Sequence, residues 1–334
     1  MPMIFRLARA GARLSAMVAA IACLIMLSSP ARASCSTSSG SVDLGTVSSF
    51  AVAATAQNGS GSTGFTCTGS LLSLLSTNTI TATISSASNS LGNQPRLYSA
   101  ATGDYIPYSI CEDASCGTTY SAGNQIGWSS TSFAGILGLF NASGGSLPLY
   151  IRTTPGTQVA AGTYTSTINL AWSWHLCALG VLGACLYDNG TASGTVTVTM
   201  IVSKDCVINA PSLDFGSAAF VGSFDPVTQT IAIRCSKGTA YTVGIDNGMN
   251  YLASRRLAHG GAYIGYEIYF PATSTSRWGS SGAERRNSAD ATGNAGLYTG
   301  TTDQTYSYKA QILAGQATPP AGTYTDTLLV DVQF

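Results

Sequence analysis

Charge is scarce in this sequence. Lys, Arg, Asp and Glu make up 9% of its 334 residues, against about 25% in an ordinary soluble protein. Four of the 15 basic residues (Arg6, Arg9, Arg13 and Arg32) stand in the first 33 positions, and the remainder carries 11 basic against 15 acidic residues. That remainder, at about −4, has no electrostatic footprint for nucleic acid or for an anionic membrane surface. Glutamate occurs three times, at Glu112, Glu267 and Glu284, so a paired-carboxylate hydrolase has little to draw on. Histidine occurs twice, at His175 and His259, and a lone histidine without a nucleophile or an oriented carboxylate is ordinarily structural. No pair of C-x-x-C motifs accompanies them, which disfavours zinc. The reading is therefore not an enzyme, with no catalytic, metal or cofactor residues. After residue 33 no apolar run approaches the roughly 20 residues that cross a bilayer. No later stretch holds a 3.6-residue apolar period for long either, which sets helical folds aside.

The first 33 residues read as an address. Arg6, Arg9 and Arg13 precede a short apolar run, Ala16 to Leu27, and Ala31-Arg32-Ala33 fits a signal-peptidase site. An uncleaved anchor is the competing reading. The expectation is an exported chain beginning at Ser34. Of nine cysteines, Cys23 leaves with that leader. Eight remain (Cys35, Cys67, Cys111, Cys116, Cys177, Cys185, Cys206 and Cys235), and an even number in an exported protein points to disulfides.

The remainder repeats itself. Cys35-STSSGSVDLGTVSSF leads to Cys67, and Cys206-VINAPSLDFGSAAF leads to Cys235. RLYSAATGDYIPYSI from Arg96 echoes RLAHGGAYIGYEIY from Arg256. AGTYTSTINLAWSW from Ala161 matches AGTYTDTLLVDVQF from Ala321. The landmarks come twice in the same order, as in a tandem duplication. Within each copy, short runs such as Thr230–Arg234 and Tyr241–Ile245 have strand length, and clusters such as Asp246-Asn247-Gly248 supply turns. About seven such strands per copy describe a β-sandwich of immunoglobulin type. The fold expected is all-β, two tandem immunoglobulin-like sandwiches at 34–202 and 203–334. If the copies correspond, Cys35–Cys67 and Cys206–Cys235 are equivalent staples. Cys111–Cys116 and Cys177–Cys185 are then local clips in the first copy, with a crossed Cys111–Cys185 pairing left open.

Leu213-Asp214-Phe215-Gly216, Arg255-Arg256-Leu257, Tyr266-Glu267-Ile268-Tyr269, Arg277-Trp278-Gly279 and the terminal Ala321–Thr327 segment lie between Cys206 and Phe334. Together they resemble the spore coat protein U domain, which is also the subunit domain of archaic (Csu-type) chaperone–usher pili. The first copy matches more loosely, with Leu44-Gly45 and Gly127-Trp128 in corresponding places. The resemblance implies a sandwich lacking its last strand, completed by donor-strand complementation from the next subunit. It also implies a periplasmic chaperone and an outer-membrane usher as partners, with display at the cell surface. The residues bear on this directly. After its AGTY strand the first copy continues to Gly194-TVTVTMIVS, a further alternating strand, whereas the second stops at Phe334. Only Ser34 precedes Cys35, so the expected mature chain accepts a strand and has none to give. A divergent domain ahead of a standard one resembles the two-domain tip subunit of such pili.

Two apolar stretches belong to the first copy alone. One holds Phe133, Ile136, Leu137, Leu139 and Phe140; the other holds Trp174, Leu176, Leu179, Val181, Leu182 and Leu186. Both are rich in glycine and fit poorly as regular strands. They read as exposed fingers that adhere to apolar surfaces and promote biofilm formation, with burial in the sandwich as the alternative. The rival functions are a secreted structural coat protein and a carbohydrate-binding module stacking sugars on Trp172, Trp174 and Tyr187.

Overall fold

Strict alternation builds the first body. In Asn78–Ala87 the residues Ile80, Ala82 and Ile84 are buried while the threonines between them are partly exposed, the period-2 pattern of a strand with one face on a core. The computed structural model describes residues 34–68, 78–130, 146–181 and 184–334. Its first strands are β1 (Ser34–Thr37), β2 (Gly40–Ser48), β3 (Asn58–Ser62), β4 (Phe65–Thr68), β5 (Asn78–Ala87) and β6 (Arg96–Tyr98). β7 (Tyr105–Cys111), β8 (Thr119–Tyr120), β9 (Gln125–Ser130), β10 (Pro148–Thr153), β11 (Gly162–Val181) and β12 (Ala184–Ser203) follow. One short helix, α1 (Ser49–Ala54), is capped by the Ser48 hydroxyl.

β12 closes this body. It runs antiparallel to β11, from Gly162↔Val202 to Val181↔Ala184. On its other edge it runs parallel to β2, from Val196↔Gly40 to Ser203↔Ser48. Pairing continues through β3, β10, β7 and β6 back to β11, so the sheet is a closed ring without a free edge at that point. β5 joins the outer half of β11 between Ile168 and His175, and β9 joins β5. Val196, Val198, Met200 and Val202 point inward from β12 and are buried.

The second body is smaller and open. β13 (Cys206–Asn209), β14 (Val227–Cys235), β16 (Arg255–His259), β17 (Ala262–Tyr269) and β19 (Gln304–Ile312) form one sheet in the order 13-14-19-17-16. β15 (Thr242–Ile245), β18 (Arg286–Asn287) and β20 (Val330–Gln333) form the other. Its core gathers Ile231, Ile233, Val243, Tyr266, Ile268, Trp278 and Tyr306. This is the all-β pair of bodies that the sequence implies, with the first closed more completely than a plain sandwich.

Four disulfides are present: Cys35–Cys67, Cys111–Cys116, Cys177–Cys185 and Cys206–Cys235. The crossed alternative does not form. Cys35↔Cys67 and Cys206↔Cys235 each join directly opposed residues of an antiparallel pair, so the duplication extends to the staples. The two bodies meet at a clasp. Ser49 Oγ and Ser236 Oγ are buried 2.7 Å apart, and Lys237 Nζ lies 2.5 Å from Asp104 Oδ1. The other Asp104 oxygen accepts from Ala160 N at 2.9 Å, and Ala160 itself bridges to Lys237.

Candidate functional site

The second body carries a groove of about 600 Å³. One bank is the segment 210–218, the other is 322–328, and Ile231, Ile245, Ile264, Tyr266, Ile268 and Tyr308 lie across the floor. Neither bank is a regular strand, and among the described residues no strand lies between them. Thr325 is bridged to Ala258 in both directions; the remaining main-chain groups of the banks and the apolar floor together make a template for an added strand.

The duplication identifies what that groove corresponds to. In the first body the equivalent banks are β2 and the start of β11, and β12 fills the space between them. The turn on the first bank is reproduced closely. Gly45 and Gly216 have φ of 74° and 78°, a conformation that glycine adopts readily. Each donates its N–H to the carboxylate two residues earlier, Asp43 at 2.8 Å and Asp214 at 2.7 Å. Val42 and Leu44 beneath β12 are buried, whereas Leu213 and Phe215 are only partly so. On the second bank the inward positions are Tyr164, Ser166, Ile168 and Leu170, matched by Tyr324, Asp326, Leu328 and Val330. The first four are buried, the second four half-buried.

One polar contact is shared by both floors. Tyr108 OH and Ser166 Oγ are 2.9 Å apart, and Tyr266 OH donates to Asp326 Oδ2 at 2.8 Å. Burial pushes the Tyr108 phenol up to about 12. It raises Tyr266 as well, reinforced by the neighbouring Asp326 carboxylate. Asp326 also accepts from Met249 N at 3.0 Å and Asn250 Nδ2 at 3.4 Å. Gly248, at φ 76°, makes room for it, since a Cβ there would stand 2.1 Å from the carboxylate.

The charged motif residues lie behind the groove and have structural roles. Arg255, fully buried, holds Glu267 Oε1 at 2.5 Å and donates to the carbonyls of Ile245 and Trp278, both at 2.8 Å. Arg277 Nε binds the other Glu267 oxygen at 2.8 Å and its Nη1 pairs with Glu284. Both Glu267 oxygens are thus engaged by arginine, a poor arrangement for acid–base chemistry.

A second candidate region is the far end of the first body, opposite the clasp. Beyond His175 the β11–β12 ribbon continues past its last pairing with β5 to the Cys177–Cys185 bridge. Asn78 and Ser130 pair at this end, and Asn78 Oδ1 accepts from Cys177 N at 2.7 Å. The expected finger residues separate here. Leu176 is buried, correcting its assignment to an exposed finger: it shares the inward face of β11 with Trp172 and packs in the core. Trp174 is half-buried, edge-on to Phe65 with ring centroids 5.5 Å apart. Leu179, Val181 and Leu186 lie on strands of the projecting ribbon, with a register shift between Cys177 and Leu179. Phe133, Ile136, Leu137, Leu139, Phe140 and Leu182 lie outside the described residues.

Trp172, proposed as a sugar platform, is buried between Phe65 and Trp128, with centroids at 4.7 and 5.5 Å. Tyr187 stacks on His175 at 4.0 Å. The three aromatics therefore present no common face. Asp326 is the residue that sequence reasoning passed over; its counterpart Ser166 in the aligned AGTY segments was the available signal. A further apolar run, Leu71-Leu72-Ser73-Leu74-Leu75, went unremarked. It stands between β4 and β5, outside the described residues.

The chain belongs to the Spore Coat Protein U domain family, which matches residues 22–171 and again 192–331. Among solved structures it is similar to one described as the CsuC–CsuE chaperone–tip adhesion subunit pre-assembly complex from archaic chaperone–usher Csu pili of Acinetobacter baumannii. Identity is 28%, coverage is 90% of this chain and 100% of that one, and the TM-score is 0.66. The adhesive subunit CfaE of CFA/I fimbria from enterotoxigenic Escherichia coli matches at 9% identity over 88% of this chain and 92% of that one. Its TM-score of 0.30 is too loose to carry an argument. No curated protein matches the chain.

Proposed function

We propose that this protein is the adhesive tip subunit of a chaperone–usher pilus. The first body (34–202) bears the adhesive end, which contacts surfaces and promotes biofilm formation. The second body (203–334) joins the fibre by taking up a donor strand. The observation that carries this reading is the pair of corresponding grooves, one filled by the chain's own β12 and the other open along both banks. An open groove with half-buried apolar residues along its banks invites aggregation, which gives a periplasmic chaperone its role before the usher delivers the next subunit. Similarity to a tip adhesion subunit captured with its chaperone supports the same assignment. Export through the periplasm and display at the cell surface follow from it.

The test is the full chain with and without an alternating donor strand fused after Phe334 through a flexible linker. Thermal unfolding of the fused chain should show the second-body transition raised by well over 10 °C, with the first-body transition unmoved. A second body equally stable without the added strand would instead support the coat-protein reading.

A further inference from the structure

The two grooves differ at one inward position. A strand seated as β12 is seated runs antiparallel to the 322–330 bank and parallel to 213–218. In the first body the strand residue opposite Ser166 is Val198. That arrangement suits an aliphatic residue because the Ser166 hydroxyl is already satisfied by Tyr108 OH at 2.9 Å and Ser88 Oγ at 3.1 Å. A neutral, paired hydroxyl tolerates a methyl group above it.

In the second body the same place holds the Asp326 carboxylate. It accepts from Tyr266 OH, Met249 N and Asn250 Nδ2, the last at 3.4 Å. A carboxylate offers about four acceptor sites, and this one is half-buried on the groove side. An arriving strand shuts solvent away from the remaining site. Covering a charged oxygen with an aliphatic side chain is unfavourable, whereas a short donor placed over it makes a charge-assisted hydrogen bond.

Resting on the strand-uptake reading, we infer that Asp326 is a specificity-determining residue of the groove. It selects a donor strand that is aliphatic at its other inward positions and carries a short hydrogen-bond donor (Ser, Thr or Asn) at the position facing residue 326. A two-residue slip, which keeps the same face inward, sets an aliphatic residue over the carboxylate, so the same contact fixes the register.

Labelled peptides with the β12 sequence Gly194–Ser203 test this on the full chain by fluorescence anisotropy at equilibrium. Valine and threonine have nearly the same shape, so the Val198→Thr peptide isolates the hydroxyl. On the unmodified chain it should bind about tenfold or more tightly than the parent peptide. On Asp326→Ser, which restores the first-body residue, the preference should vanish or reverse. Asp326→Asn, of unchanged size, should reduce it, and serves if the serine variant does not fold. Equal or tighter binding of the valine peptide to the unmodified chain overturns the inference while leaving strand uptake intact. Failure of every peptide, while a fused donor strand also leaves the melt unchanged, overturns the strand-uptake reading itself.

Discussion

Tyr164, Ser166, Ile168 and Leu170 of the first body and Tyr324, Asp326, Leu328 and Val330 of the second occupy corresponding places on corresponding segments. The first set is buried beneath β12, and the second is half-exposed along a groove. The main chain differs in the same way: residues 162–170 pair with β12 on one edge, whereas β20 begins only at Val330. One ancestral plan has therefore been closed in one copy and left open in the other. At this groove the difference lies in a single strand. Disulfide placement, the Asp–Gly turn and the tyrosine under the strand are shared. What separates the closed body from the open one is whether four inward residues have a cover.

The contrast breaks most severely when the cover is spoiled. Met200→Asp sets an unpaired carboxylate at a fully buried position of β12 and should remove at least about 4 kcal/mol from the first body. In two-transition calorimetry the first-body peak should be lost while the second-body peak stays. A single simultaneous loss of both would mean that the bodies fold as one unit. Next in size, Glu267→Ala leaves the fully buried Arg255 without its carboxylate and should destabilise the second body alone by about 3–5 kcal/mol. Urea titration followed separately in each body reads this directly. The smallest effect is alkaline. With the Tyr108 phenol pushed up to about 12, its contribution is complete below the ordinary phenol value of about 10 and is lost as pH rises through 12. The first body should hold steady to about pH 10 and then lose roughly 2–3 kcal/mol through Tyr108; Tyr164, also pushed up to about 12 by burial, adds to the fall, so Tyr108→Phe should reduce the decline without abolishing it.

Much of this was legible in the sequence because duplication supplies an internal control. The aligned AGTY segments locate the second bank, the cysteine spacings locate the staples, and GTVTVTMIVS reads as a strand that the second copy does not repeat. At the base of the far-end ribbon, Leu176 departs from the expected finger for a physical reason. Trp172, Trp174 and Leu176 alternate with Ala171, Ser173 and His175, a strand pattern with one apolar face. The nearby cysteine clip and glycines suggested a loop instead. Strand β11 keeps its pairing with β5 as far as His175, so Trp172 and Leu176 become core. Asp326 differs in kind: the aligned AGTY segments mark it against Ser166, but its meaning depends on what lies across the groove from it, which no local pattern carries.

The clasp between the bodies has a mechanical consequence. Strand β12 leaves the first body at Ser203 and the chain enters β13 at Cys206, so tension applied at the far end travels along β12. That strand is hydrogen-bonded on both edges, to β11 and to β2, and the bonds run across the direction of pull. Sliding it out requires many of them to yield together, as in a loaded lap joint, and not one after another as in a zip. Where the load crosses between bodies, the Ser49–Ser236 contact and the Lys237–Asp104 pair resist the bending that would turn shear into peeling.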